Sequence, residues 1–396
     1  MPVAGVIAEF NPLHNGHAYL LSQAKQFAGD GVVVVMSGNF TQRADLALLS
    51  SRWRTKAALS SGADLVLELP LPFAVGSAGF FARGGVETLA ALGLVDTLVF
   101  GSECGDTDLL LQTADALLSP ETDRATQAFI RQGLSFPSAR ERAVRNCFSD
   151  TIADVLKEPN NVLGVEYILA SKKLCAPFTF HSVPRVGTAH DAQTPQGDFA
   201  SASFLRAQMK KGLLVDHYVP ASALNLLREA TEKGECPADF QKLETAVLAF
   251  LRKASPKDFA GVPDVSEGIE NRILDAVRTA DSLQAVFDNA KTKRYTHARI
   301  RRIVLCAFLG VTKKMQKAGV PYLRVLGANE RGLQLLKRAE GTAQKPILLR
   351  ASDARALSEA GKAVFDLTCK ATDLYNLALP KTRPCGTEMT DPICFP

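Results

Sequence analysis

The sequence contains no apolar stretch that is long enough and sufficiently free of charge to cross a bilayer. Its most apolar longer segment, residues 63–82, carries two acids and two prolines, whereas a transmembrane helix needs about 20 predominantly apolar residues. A basic leader is missing too, because the opening MPVAGVIAEF reaches an acid at Glu9 without a Lys or Arg. We therefore expect neither a membrane span nor a secretory signal.

Paired cysteines are also absent. The eight cysteines are scattered over both halves of the chain and form no C-x-x-C pair. This distribution argues against a disulfide framework and against a zinc site, and is typical of reduced thiols. We expect a cytoplasmic protein without a structural metal ion.

Acidic residues become rare in one part of the chain. Residues 1–215 hold 18 Lys and Arg against 20 Asp and Glu, and residues 216–396 hold 28 against 21. Residues 291–350 hold 15 Lys and Arg but only two acids, Glu330 and Glu340. A local excess of this size predicts a polyanion partner, although a solvated basic face is the alternative.

Short apolar runs alternate with helical periods in the first half. The runs are continuously apolar or nearly so, which is typical of buried parallel strands; they cover residues 3–10, 31–38, 63–70, 95–102 and 178–183. This alternation predicts an α/β fold, a Rossmann-like doubly wound parallel sheet over residues 1–215. Beyond residue 216 helical periods dominate, and we expect a mainly helical domain over 216–396 with an irregular C-terminal tail.

Two histidines, three positions apart, follow the first predicted strand. In EFNPLHNGHAYLL, Asn15-Gly16 is predicted to cap a helix that begins near His17, which places His14 and His17 on one side of its first turn. A helix N-terminus and two imidazoles favour an anion, and a nucleoside triphosphate would fit. A pair of capping or core histidines is the alternative. A metal pair would need a third ligand, which the spacing does not reveal.

A second candidate phosphate site lies in FASASFLR, residues 199–206. Ser201 and Ser203 are predicted to open a helix that carries Arg206, and hydroxyls, free amides and a guanidinium can all bind phosphate oxygens. Alone, the motif could equally be an ordinary helix cap and a surface arginine. Together with H-x-G-H, it predicts the opposite wall of a triphosphate site.

These motifs resemble those of the H-x-G-H nucleotidyltransferase superfamily. The ordered series AEFNPLHNGHAYLL, MSGNFTQRADLALL, GADLVLELP, FGSE, PNNVLGVEYI, SASFLR and KRYTHARIRRI, which covers roughly residues 3–310, is similar to the tRNA(Met) cytidine acetate ligase family. The resemblance implies a ligase that activates acetate with ATP as an acetyl-adenylate. The enzyme then acetylates the exocyclic amine of the wobble cytidine in elongator methionine tRNA. A metabolite adenylyltransferase, or an RNA-binding protein with a relic nucleotide site, are the alternatives.

The resemblance also implies which residues contact ATP. With His14 and His17 as the catalytic pair, the ATP-binding set comprises Ile7, Ala8, Glu9, Phe10, Asn11, Pro12, Leu13, His14, Asn15, Gly16, His17, Gly101, Asn160, Asn161, Arg185, Ser201, Ser203 and Arg206. Mg²⁺ is expected to arrive with ATP. The chain departs from the family pattern at Ala44-Asp45, where the family usually has a glycine and an acid.

The basic segment supplies the expected tRNA surface. In HARIRRIVLCAFL an apolar stripe on one side of the helix leaves arginines on the other. Cations with an aromatic at their edge suit RNA phosphates and unstacked bases. The predicted tRNA-binding residues are Lys291, Lys293, Arg294, Tyr295, Arg299, Arg301 and Arg302.

Overall fold

A seven-stranded sheet forms the centre of the molecule. The computed structural model describes residues 2–185, 195, 197–213, 215–266 and 268–396. Its strands are β1 (Val3–Ala8), β2 (Gly31–Ser37), β3 (Leu65–Leu69), β4 (Thr97–Ser102), β5 (Thr179–Pro184), β6 (Leu323–Ala328) and β7 (Ile347–Leu348). They lie in the order β5-β4-β1-β2-β3-β6-β7. All neighbours run parallel except β3 and β6, which pair antiparallel.

The described residues form twenty α-helices, ten before residue 215 and ten after it. The first group comprises α1 (Asn15–Phe27), α2 (Ser51–Ser60), α3 (Leu71–Ala74), α4 (Ala78–Leu92), α5 (Thr107–Leu118), α6 (Pro120–Arg131), α7 (Phe136–Cys147), α8 (Asp150–Asp154), α9 (Pro159–Leu174) and α10 (Ala202–Lys210). The second comprises α11 (Ala221–Glu232), α12 (Glu244–Lys253), α13 (Pro256–Phe259), α14 (Ile269–Thr279), α15 (Leu283–Ala290), α16 (His297–Leu309), α17 (Lys313–Lys317), α18 (Glu330–Ala339), α19 (Glu359–Leu377) and α20 (Thr387–Thr390).

The predicted parallel strands are confirmed, because all five apolar runs of the first half are strands of this sheet. β2 shows why: all seven of its residues, GVVVVMS, are buried, as a central strand covered on both faces requires. Helices α4 and α9 pack on one face and α1 and α2 on the other. The sheet is therefore doubly wound, as expected.

The second half of the chain contributes two strands that the sequence analysis did not predict. β6 pairs with β3 over Leu65–Leu67, and β7 pairs with β6. The boundary after residue 215 stays a prediction, but part of the second half belongs to the sheet. Much of the remainder is helical, and α12, α14, α15 and α16 share a hydrophobic cluster with Tyr375 of α19.

The C-terminal tail was expected to be irregular, but part of it forms regular secondary structure. Its last described residues include α20 and a bridge in which Cys394 pairs with Gly327 of β6. Within the described parts of the chain, no helix has the length and apolar character needed to span a membrane.

Candidate active site

A cleft with a volume of about 520 Å³ opens at the carboxyl ends of β1 and β4. The chain runs from β1 toward β2 on one side and reaches β4 on the other, so the cleft lies at the point where the strand order reverses. This is where open α/β sheets bind ligands, and the volume suits a ligand the size of a nucleotide.

The turn between β1 and α1 places both histidines on the cleft wall. Helix α1 begins at Asn15, and His14 rather than Asn15-Gly16 is its N-cap; the predicted cap is therefore wrong by one residue. His14 Nδ1 accepts the Gly16 N–H at 3.1 Å, and His17 Nδ1 accepts the His14 N–H at 3.4 Å. The histidine pair thus forms a capping box that secures the first turn of α1.

This capping arrangement also orients the imidazole protons. The two rings stack with centroids 3.7 Å apart. Because each Nδ1 accepts a backbone N–H, the proton of a neutral ring lies on Nε2, which can donate to a ligand oxygen. A Cβ at Gly16 would come within 3.0 Å of the His14 ring. Gly16 therefore makes room for the His14 ring.

Arg206 joins the second predicted phosphate motif to the histidine turn. It donates to the backbone oxygen of Asn11 at 3.0 Å and to Ser203 Oγ at 2.9 Å. Ser201 is buried and caps α10 by accepting the Phe204 N–H. The structure therefore brings H-x-G-H and SASFLR together, with Ser203 and Arg206 lining the cleft.

A reciprocal pair of contacts links FGSE to the start of α9. Glu103 accepts the backbone N–H of Asn161 at 2.8 Å and the Asn160 side-chain amide at 2.6 Å. In return, Asn161 Oδ1 accepts the Glu103 and Cys104 N–H groups. The Asn161 amide is thus used inside the fold and is nearly fully buried, whereas Asn160 lines the cleft.

Gly101 and Arg185 complete this side of the cleft. A Cβ at Gly101 would meet no atom closer than 4.0 Å, so its surface is open to a ligand. Burial lowers the pKa of Arg185. Its Nε is buried and has no hydrogen-bond partner among the described residues. An unsatisfied buried donor beside an open backbone favours a bound polar ligand.

Most of the predicted ATP-binding residues line this cleft, with five exceptions. Those that do are Ile7, Ala8, Glu9, Phe10, Asn11, His14, Gly16, His17, Gly101, Asn160, Arg185, Ser203 and Arg206; those that do not are Pro12, Leu13, Asn15, Asn161 and Ser201. Leu13 is in the core, and the Asn15 amide donates to the backbone oxygens of Asp198 and His217. These exceptions hold the turn and the second motif in place.

Arg54 is an organising residue that the sequence did not reveal. It is fully buried and donates to backbone oxygens of Glu9, Ser37, Gly38 and Leu49. Burial lowers its pKa to about 10. The guanidinium therefore ties together the carboxyl ends of β1 and β2, below the cleft.

The loop after β2, for which the sequence predicts no role, forms another wall of the cleft. Phe40 and Leu46 pair across it, and Ala44 closes the turn with its N–H on the Thr41 oxygen at 3.0 Å. Ala44 has a φ of 58°, in the left-handed region that favours glycine. Alanine thus adopts a left-handed conformation at the position where the chain departs from the family's usual glycine. Thr41, Gln42, Arg43 and Asp45 line the cleft.

The predicted tRNA-binding residues fall into two groups. Arg302 forms an ion pair with Asp264 at 2.9 Å, and Arg299 donates to the Asp264 backbone oxygen and to Ser266 Oγ. Arg301 lies over the Phe287 ring. In contrast, Lys291 and Lys293 are exposed. The arginines of α16 were expected to form an open cationic face. Arg299, Arg301 and Arg302 instead make contacts within the protein, so this face is only partly open.

Comparison with known proteins places this cleft in a family context. The HIGH nucleotidyl transferase family model matches residues 1–388. The tRNA(Met) cytidine acetate ligase of Caldanaerobacter subterraneus is 37% identical over 96% of both chains, and that of Acetivibrio thermocellus is 35% identical over 99% of both. The fold is similar to the crystal structure of Thermotoga maritima TmcAL, with a TM-score of 0.95, 32% identity and coverage of 100% of this chain and 99% of that one. A second crystal structure, of TmcAL bound with alpha-thio ATP, matches with a TM-score of 0.93 and 31% identity, over 100% of this chain and 99% of that one.

Proposed function

Because the chain belongs to the tRNA(Met) cytidine acetate ligase family of HIGH nucleotidyl transferases, we propose that it is an ATP-dependent tRNA cytidine acetylase. It activates acetate as acetyl-adenylate with release of pyrophosphate. It then transfers the acetyl group to the exocyclic amine of the wobble cytidine in elongator methionine tRNA and releases AMP. The observation that carries this proposal is the cleft that joins H-x-G-H to SASFLR at the strand-order reversal.

The first step requires stabilisation of charge on the α-phosphate. When the acetate oxygen attacks, the equatorial oxygens of that phosphate gain negative charge. The Nε2 donors of His14 and His17 and the N-terminus of α1 are the groups we assign to this charge, because donors fixed before reaction stabilise a transition state effectively. Arg206 and Ser203 then hold the departing phosphates from the opposite wall, while Gly101, Asn160 and Arg185 receive the nucleoside.

Magnesium is proposed to enter with the triphosphate. Among the described residues, no group of three His, Cys, Asp and Glu side chains is placed to hold a metal ion. Mg²⁺ commonly keeps several waters and binds through substrate phosphates. Here it would neutralise phosphate charge, and the basic residues of the cleft would position the remaining oxygens.

The tRNA is proposed to bind across the basic segment of residues 291–350. This segment contains 15 Lys and Arg and two acids, and Lys291 and Lys293 are exposed in the connection between α15 and α16. We propose a division of labour between a nucleotide-activating part, residues 1–215 with the added strands β6 and β7, and a mainly helical RNA-binding part after residue 216. The tRNA substrate implies a cytoplasmic enzyme.

An exchange assay and a transfer assay test this function together. ATP–pyrophosphate exchange should depend on acetate, and labelled acetate with ATP should appear in methionine tRNA as N4-acetylcytidine. A tRNA with uridine at the wobble position is the matched control and should remain unlabelled. Exchange that ignores acetate would instead indicate a metabolite adenylyltransferase. Labelling from acetyl-coenzyme A without ATP would contradict the adenylate route.

A further inference from the structure

Glu9 lies in the cleft, but adenylate formation gives its carboxyl no role. It follows β1 directly and shares the cleft lining with His14 and His17. Its Oε1 accepts the Gln42 N–H at 2.7 Å, and its backbone oxygen accepts from Arg54 at 2.6 Å. The side chain is therefore held between the histidine turn and the loop after β2.

The second half-reaction, in contrast, needs a proton acceptor. An exocyclic amine that attacks a carbonyl carbon gains positive charge until it loses a proton. The histidines are already assigned as donors, and the arginines and Lys157 of the cleft are cations. The carboxyls in the described lining are Glu9 and Asp45. Asp45 Oδ1 accepts the Leu46 N–H at 2.8 Å, as part of its own turn. Glu9 directly follows β1, and its carboxyl is bound to a residue of a different segment, the Gln42 N–H.

We propose that Glu9 is the general base of acetyl transfer, an assignment that rests on the proposed function. The cytidine N4 attacks the acetyl carbonyl carbon, and a C–N bond forms. The bond from that carbon to the AMP phosphate oxygen breaks, and its electron pair leaves on AMP. The N4 proton passes to the Glu9 carboxylate and from there to solvent, so that the products are the amide, AMP and one proton.

The groups around Glu9 act on the pKa of its carboxyl in opposite directions. Burial raises the pKa of Glu9, while the Gln42 N–H and the charges of Arg206, Arg54 and Arg43 oppose that rise. Tyr167 also faces the carboxyl, and burial raises the pKa of its phenol. A base is active when ionised. The rate of transfer should therefore fall as pH decreases through the raised pKa of Glu9.

Glu9→Gln separates the two half-reactions. Glutamine retains an oxygen that can accept the Gln42 N–H, so the turn should be preserved. Because Glu9 lines the ATP cleft but its carboxyl takes no part in the attack on the α-phosphate, we expect acetate-dependent ATP–pyrophosphate exchange to fall much less than transfer does. In single turnover from preformed acetyl-adenylate, transfer to tRNA should fall by about 10²-fold or more, the usual contribution of a general base. The remaining transfer should lose the acidic limb of its pH profile.

Several outcomes would overturn the assignment. Normal transfer by Glu9→Gln would exclude a base role. A raised KM for acetate in the exchange assay would show that Glu9 binds acetate instead. A loss of transfer in Asp45→Asn, with transfer retained in Glu9→Gln, would assign the base to Asp45. The exchange assay contains no tRNA. Failure of exchange in the wild-type enzyme would therefore count against the proposed function itself and not against the role of Glu9.

Discussion

The histidine turn and helix α16 both concentrate polar groups, but the fold uses those groups in opposite ways. At the turn, the hydrogen bonds that cap α1 join His14 Nδ1 to the Gly16 N–H and His17 Nδ1 to the His14 N–H, so they span no more than three positions in sequence. On α16, Arg299 and Arg302 reach contacts 33 to 38 positions away in sequence. Local pairing at the turn fixes the histidines beside the cleft, whereas distant pairing on α16 uses positive charge within the protein.

The largest expected effect on activity comes from removing an imidazole from the histidine turn. His14→Ala or His17→Ala should lower acetyl-adenylate formation by roughly 10²–10³, the scale of one lost oxyanion donor. His14→Ala should also cost about 1 kcal/mol of stability through the lost cap. ATP–pyrophosphate exchange and thermal unfolding measure the two effects.

His14→Asn is the control that separates the effect on acetyl-adenylate formation from the effect on stability. Asparagine is a good N-cap, so its stability should stay near that of wild type while exchange falls as far as in His14→Ala. Near-normal exchange in His14→Asn would assign His14 to capping alone.

On α16, the largest effect should be on stability rather than on RNA binding. Arg302→Glu would place a carboxylate against Asp264, in a pair whose side chains are only 15% and 22% exposed. Breaking such a pair should lower the free energy of unfolding by about 3 kcal/mol, as chemical denaturation would show. A variant as stable as wild type would mean that Arg302 is available to RNA after all.

Arg302→Glu with Asp264→Arg tests the same pair by reversal. If the ion pair is the main contact, the double variant should recover part of the lost stability. Without recovery, the cost lies in packing around the Arg302 stem.

The exposed lysines should affect RNA binding alone. Lys291→Ala with Lys293→Ala should weaken tRNA binding and reduce its salt slope by about two units, roughly 0.9 for each lost phosphate contact. Unfolding and ATP binding should not change. Lys253→Ala, an exposed lysine of α12 outside the basic segment, is the matched control. An unchanged slope in the double variant would place the tRNA surface elsewhere.

The smallest effect is expected at the turn after β2. Ala44 has a φ of 58°, and a left-handed alanine costs about 1 kcal/mol relative to glycine. Ala44→Gly should therefore raise the free energy of unfolding by up to about 1 kcal/mol and leave exchange nearly unchanged. A loss of stability would show that the buried Ala44 methyl matters more than its backbone.

The sequence predicted those parts of the site that local patterns determine. Strand ends in a doubly wound sheet meet at one edge, so His14 and Gly101 could be expected to share a cleft, whereas Asn160, at the start of α9, was expected there only from the family resemblance. Arg54 could not be expected, because it sits in a helix with other charges and its partners are backbone oxygens from three segments. Nothing in the sequence indicates that Asp264 forms an ion pair with Arg302 of α16. Both depend on tertiary contacts that periodicity does not encode.

The antiparallel partner of β3 was missed for a similar reason. β6, LRVLGA, is short, alternates in burial and contains Arg324 and Gly327, so it does not show the continuous apolar run that revealed the parallel strands. Arg324 is tolerated there because it pairs with Glu68 at 3.2 Å and with Glu388. The position of Arg324 in β6 thus depends on ion pairs between residues far apart in sequence, which the local pattern does not show.

The position of β6 has a consequence for how the protein is made. β3 ends at Leu69, and the strand that covers its edge begins at Leu323, about 250 residues later. At a synthesis rate of about 5–20 residues per second, the ribosome needs roughly 10–50 s to deliver that strand. Until then, the backbone edge of an apolar strand waits without its partner, and such edges promote association between chains. Newly synthesised copies should therefore depend on chaperones during that interval, until β6 pairs with Leu65–Leu67 of β3.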